Sequence, residues 1–135
     1  YGVDSPHSRN FFGEFLRTME SGEGLDLFTD EYRSVVDAES VSRGVLQMLG
    51  DVSGLIHLGG EKSLSRFEFG ELMAKVFRIE KPNIRPAVQS DVPMTAARPA
   101  DVTLDSSKAF VLGYDPLLPE AGLERVKNQM NDNTN

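Results

Sequence analysis

The run Gly54-Leu55-Ile56-His57-Leu58-Gly59-Gly60 constrains the fold more than any other stretch of the chain. A short apolar run bracketed by glycines is the pattern of a strand buried in a sheet, not of one with a wet face. Such a strand needs neighbours along both edges, and 135 residues supply few of them. The run therefore predicts an α/β sheet completed by a partner chain, by a further half of the same protein, or by a rearranged pairing. The opening Tyr1-Gly2, with no initiator Met, points the same way.

Local signals place the other elements. Phe11, Phe12, Phe15, Leu16 and Met19 share one face of a helix over 9–21, with Ser8 as its N-cap and Gly22 at its end. Leu25 to Thr29 and Tyr32 to Val36 read as short strands. Asp37 caps a helix from Ala38 to Leu49, with Val41, Val45, Met48 and Leu49 on one face. Ser65-Arg66-Phe67-Glu68 is a capping box, opening a helix that turns Phe69, Leu72, Met73, Val76 and Phe77 to one side. Asn83 to Val88 and Val102 to Leu104 are further strands, and Ser90 to Ala100 is a loop. Asp105 or Ser106 caps a brief helix ending at Gly113. Pro119 suits the first turn of a last helix using Leu123, Val126 and Met130. Residues 131–135 are expected to fray. The whole is one α/β unit over 1–135 with few strands.

Composition removes several function classes. Fourteen basic against 21 acidic residues give a net charge of -7, which argues against tracking nucleic-acid phosphates. Zero cysteine excludes a disulfide scaffold, a thiolate metal site and a Cys nucleophile. No apolar run approaches the roughly 20 residues of a membrane span, and no signal peptide is visible. The expectation is a soluble, cytoplasmic protein. His7 and His57 lie far apart with no carboxylate–histidine pattern, so no metal site is expected, and His57 reads as a core residue.

No glycine-rich phosphate loop, no Gly-x-Ser-x-Gly elbow and no Tyr-x-x-x-Lys pair occurs, so the motifs supply no catalytic residue. Two polar stretches stand out: Thr29 to Asp37, and Ala97 to Lys108. Each sets an arginine beside a short strand and a carboxylate a few residues on. An arginine so placed can hold a phosphate bidentately, and a carboxylate can accept from a sugar hydroxyl. An Arg–Asp pair or a helix cap fits the same spacing.

At these stretches the sequence resembles the C-terminal part of an extended short-chain dehydrogenase/reductase. The similar branch is the dTDP-4-dehydrorhamnose reductase-like and sugar-nucleotide epimerase group. Tyr1-Gly2 resembles the end of a late Rossmann strand, and Phe11 to Met19 the helix after it. Thr29 to Asp37 resembles the Arg-containing stretch that ends in Asp-Asp, although the second acid here is Glu39 and Val35 stands where proline is common. Gly54 to Gly60 resembles the family's Gly-bracketed strand, and Ser63 to Leu72 its Ser-x-x-Glu helix. Arg98 to Lys108 resembles its Arg-Pro-x-Asp-x-x-Leu-Asp-x-x-Lys segment, followed by Leu112-Gly113-Tyr114.

The resemblance implies a substrate-binding subdomain plus the last sheet strand, with the N-terminal cofactor half absent. It implies a parent enzyme using NAD or NADP, and no turnover by these 135 residues alone. Arg33 and Arg98 become candidates for a nucleotide diphosphate, Asp101 for a ribose or sugar hydroxyl, and Tyr1 for a position near the substrate. Asp37 is left as a helix cap. The implied partners are a nucleotide-diphosphate sugar, the missing half, and a second copy in a homodimer. Two other readings stay open: an epimerase or dehydratase, and a non-catalytic interaction module acting through the 90–100 loop.

Overall fold

Asn10 starts the first helix: its side chain accepts from the backbone of Phe12 and Gly13, which otherwise lack partners at a helix start. This replaces Ser8, which lies outside the residues described by the computed structural model, namely 1–4, 10–50, 52–93, 96 and 98–132. His7 lies outside them too. Helix α1 (Phe11–Ser21) ends on Gly22 in the left-handed region, φ 76°. Then follow β1 (Leu25–Phe28), β2 (Tyr32–Ser34), α2 (Ala38–Met48), β3 (Ser63–Ser65), α3 (Arg66–Phe77), β4 (Ile84–Ala87), α4 (Ser107–Val111) and α5 (Pro119–Asp132).

The strands form two small ladders. β1 pairs with β4 in parallel, Leu25 opposite Ile84. β2 pairs with β3 antiparallel, Tyr32 opposite Ser65 and Ser34 opposite Ser63. Helix α3 follows β3 without a loop because Ser65 is both the last strand residue and the N-cap. Its hydroxyl accepts from Glu68 N at 3.1 Å while Glu68 returns to Ser65 N at 2.7 Å.

One core gathers Phe12, Phe15, Leu16 and Met19 of α1, Leu27 of β1, Phe69, Met73, Ala74 and Val76 of α3, and Leu123 and Val126 of α5. Burying side chains of this size at about 1.5–3 kcal/mol each drives the helices onto the β1–β4 ladder. A second, smaller cluster joins Met48, Ala109 and Tyr114, with Val52, Ile56, Leu58 and Phe110 against it.

The glycine-bracketed run departs from expectation. Residues 54–60 form no ladder with any described residue. Ile56 and Leu58 face the small cluster, whereas Leu55 is 79% exposed. The run is thus covered on one side, and His57 is only half-buried. The reason is local supply: the cluster beneath it is small, and the end of β2 meets the run only at Gly60, whose N–H donates to the Ser34 carbonyl at 3.4 Å. The face assigned to α2 is corrected likewise, since Met48 is buried while Val45 and Leu49 are exposed. Val102 to Leu104 forms no strand; the residue before it, Asp101, makes an isolated parallel bridge to Tyr32. Helix α5 continues through Asn131 and Asp132, two residues into the stretch expected to fray.

Candidate functional site

Glu31 lies just before β2, and Arg66 just after β3. Because the antiparallel register sets Tyr32 opposite Ser65, those flanking residues meet. Arg66 N donates to the Glu31 carbonyl at 3.2 Å. The Glu31 side chain, 1% exposed, then splits its carboxylate between two guanidinium groups. Oε1 takes Arg33 Nη2 at 2.6 Å, and Oε2 takes Arg66 Nε. Arg33 Nη1 also donates to the Tyr32 carbonyl at 2.6 Å. The Arg66 guanidinium lies 5.8 Å from the Phe11 ring centroid, within cation–π reach. Two cations share one anion, so these three side chains sum to one positive charge, with the exposed Asp101 carboxylate acting on Arg33 from the side.

This cluster edges a cavity of about 340 Å³. Its lining includes Tyr1, Phe11, Phe15 and Phe69, with Val35, Val36 and Leu64 and the polar Ser34 and Ser65. Phe15 and Phe69 are buried, whereas the Arg33 and Arg66 side chains remain 30% and 34% exposed. Aromatic walls with partly solvated guanidinium groups suit a ligand that joins a ring to an anionic group.

Tyr1 reaches the cavity with its ring, 5.1 Å from Phe69 between centroids. Its hydroxyl donates to the Pro119 carbonyl at 3.0 Å. Burial first, and the nearby Asp37 carboxylate second, push this phenol well above its ordinary pKa. It is a wall, not a group ready to give up a proton near neutrality.

Of the residues expected at the site, the structure brings Arg33 and Tyr1 to one cavity. Asp101 lies alongside: Tyr32 N donates to the Ala100 carbonyl at 2.7 Å, and Val102 N to the Tyr32 carbonyl at 3.3 Å. Its exposed carboxylate accepts from the hydroxyl and backbone of Thr103, which hold its pKa below the usual value. Thr103 in turn contacts Ser63 Oγ at 2.7 Å, and Leu104 N donates to Ser34 Oγ at 2.8 Å. Neither Asp101 nor Arg98 lines the cavity, and Arg98 is exposed.

Asp37 caps α2 as expected, accepting from Ser40 N at 3.0 Å. It also receives Arg125 Nη2 at 2.7 Å, a partner no local pattern announces. Sequence reasoning missed Glu31 and Arg66. The capping box did fix Arg66 as the first residue of α3, but the pairing with β2 that aims it at Glu31 joins residues 35 apart.

Among the described residues, the glycine pair does not fit the phosphates of a dinucleotide. Gly59-Gly60 is the nearest approach to a phosphate turn, and both glycines are packed against the chain itself. A Cβ on Gly59 would lie 2.8 Å from Ser34 Cβ, and one on Gly60 2.1 Å from the Val35 carbonyl oxygen. No open cradle for a phosphate exists there. Among the described residues, no group of three or more His, Asp or Glu side chains is placed to hold a metal ion. Among the same residues, no helix is long and apolar enough to cross a membrane.

Known proteins share this fold. A solved dTDP-4-dehydrorhamnose reductase from Bacillus anthracis str. Ames, in complex with NADP, superposes with a TM-score of 0.83 at 21% identity. The match covers 96% of this chain and 45% of that one. A UDP-glucose 4-epimerase with UDP-glucose from Thermotoga maritima superposes with a TM-score of 0.71 at 20% identity, covering 100% of this chain and 44% of that one. These likenesses show the fold: an α/β arrangement corresponding to the C-terminal part of Rossmann-type reductases. A probable low-salt glycan biosynthesis reductase, Agl14, from Haloferax volcanii is 31% identical over 91 residues, 67% of this chain and 30% of that protein. The chain thus spans less than half the length of these relatives. The sequence profile described as the RmlD substrate binding domain matches residues 1–130. With that match over nearly its whole length, the chain belongs to the RmlD substrate binding domain family.

Proposed function

We propose that the chain is the substrate-binding part of a nucleotide-sugar reductase of the dTDP-4-dehydrorhamnose reductase kind. The observation that carries this reading is the aromatic cavity with a net-cationic arginine cluster on its lining. Aromatic walls take the planar or sugar ring, and the guanidinium groups take the diphosphate. Arg33 binds it directly. Arg98, exposed on the segment that leads to Asp101, closes on the same group from outside the cavity, and Asp101 accepts from a ribose or sugar hydroxyl. The family membership and the Agl14 relative support the same direction. Hydride chemistry would come from NAD or NADP bound by residues outside this chain, so these 135 residues bind without turning over.

Calorimetric titration with dTDP- and UDP-sugars tests this. Binding is expected, with Arg33→Ala weakening it about tenfold or more, as for a charged hydrogen bond. No binding of either nucleotide sugar, or binding indifferent to Arg33→Ala, refutes the reading. A second reading, an epimerase part, is favoured by the UDP-glucose 4-epimerase superposition over the entire chain. Preference for UDP- over dTDP-sugars would support it.

A further inference from the structure

We propose that Glu31 is a positioning residue that locks Arg33 and Arg66 into a single two-pronged receptor for a dianionic phosphoryl group. Its second prong is Arg66, which lies in neither of the two arginine-bearing stretches. The inference rests on reading the cavity as a ligand site.

The geometry is specific. Each Glu31 carboxylate oxygen is occupied by a different arginine, so neither guanidinium can swing without leaving a buried anion half-paired. The backbone bond from Arg66 N to the Glu31 carbonyl and the Phe11 ring against the Arg66 guanidinium hold the second prong from two further directions. Arg66 spends only Nε on Glu31. Its Nη1 and Nη2 have no protein acceptor among the described residues, although the side chain lines the cavity. The Asp101 carboxylate acts on Arg33 from outside the cavity, which leaves Arg66 as the prong with free donors, and fixed guanidinium forks bind phosphoryl oxygens at lower entropic cost than free ones. A buried Arg–Glu–Arg set adds little stability over apolar residues of equal volume. What it does confer is orientation.

Charge counting and positioning make opposite predictions, which is what the test exploits. Removing the Glu31 charge makes the site more cationic. If Glu31 merely neutralises, Glu31→Gln should bind anions more tightly; if it positions, the variant should bind more weakly. The 135-residue chain and its variants are titrated with inorganic pyrophosphate and, separately, with dTDP, after circular dichroism has checked folding. Arg66→Ala and Glu31→Gln are each expected to weaken both ligands about tenfold or more. The double variant should be little weaker than either alone, because the two residues act as a unit. Arg66→Lys keeps the charge but not the fork, and should resemble Arg66→Ala.

Tighter or unchanged binding by Glu31→Gln overturns the proposal, as does unchanged binding by Arg66→Ala, a partly exposed position that keeps the test alive if Glu31→Gln does not fold. If dTDP binding depends on Arg33 but not on Arg66, the substrate reading stands and the fork falls. If pyrophosphate shows the fork pattern while dTDP binds no better than pyrophosphate, the fork stands and the nucleotide reading falls. Binding of neither ligand overturns both.

Discussion

Arg125→Met should be the most destabilising single change on the polar side of α5. Arg125 projects from that helix to the start of α2. Its Nη2 donates to Asp37 Oδ1 at 2.7 Å and to Ser40 Oγ at 2.8 Å, and its Nη1 to Glu39 Oε1 at 2.7 Å. Asp37 is 1% exposed, and its Oδ2 has no hydrogen-bond partner among the described residues. Without Arg125 this buried carboxylate keeps one hydrogen bond among the described residues, from Ser40 N at 3.0 Å. Breaking one side of a buried ion pair costs about 3–5 kcal/mol. The Glu39 contact adds under about 1 kcal/mol, because that carboxylate is 42% exposed. Met retains most of the stem packing, so the loss should be electrostatic, at about 3–4 kcal/mol against a typical total of about 5–15. Urea unfolding followed by circular dichroism should show a lower midpoint with an unchanged slope. Adding Asp37→Asn should restore much of the loss, since Asn still caps α2 without a stranded charge. A loss below about 1 kcal/mol, or a double variant no more stable than Arg125→Met, would refute the reasoning.

Further outcomes follow from the same packing. Gly60→Ala would set a Cβ 2.1 Å from the Val35 carbonyl oxygen. It should cost about 1–3 kcal/mol by urea unfolding and also weaken dTDP binding, because Val35 lines the cavity. Gly122→Ala lies inside α5, where helix propensity alone gains about 1 kcal/mol. Its Cβ would fall 2.3 Å from the Tyr1 hydroxyl, so net destabilisation is expected, and a gain in melting temperature would contradict the packing. Tyr114→Phe removes a buried hydroxyl with no protein partner among the described residues and should be neutral or mildly stabilising in the same assay. Burial raises the pKa of both the Tyr1 and Tyr114 phenols, Tyr1 more strongly. Their contribution to stability is therefore full below the ordinary phenol value of about 10 and is lost as pH rises through the folded values. Phenolate absorbance from these two rings should rise together with the loss of circular dichroism, and phenolate forming at Tyr1 or Tyr114 in a still-folded chain would contradict this.

Elements fixed by contacts three or four residues apart were readable in the sequence. The Ser65–Glu68 capping box, the Asp37 cap, Pro119 at the start of α5 and the apolar stripe of α1 all appear where the local pattern puts them. Each depends on backbone donors at a helix end or on one face of a helix, and both are properties of the nearby chain. Family resemblance added Arg33 and Tyr1 as cavity residues.

What the sequence by itself determined is therefore the set of helices and most of the short strands, and it named two residues, Arg33 and Tyr1, that line the cavity. The tertiary structure alone decided that Glu31 would face Arg66, that Arg125 would reach Asp37, and that the 54–60 run would be covered on one side only. These contacts join residues far apart in the chain: Arg66 and Glu31 are separated by 35 positions, Arg125 and Asp37 by 88. A buried carboxylate has no local signature, because what makes its burial tolerable is a cation brought from elsewhere by strand register or helix docking. Likewise an apolar run says that it needs cover, but the supply of neighbouring strands decides whether one face receives it or two.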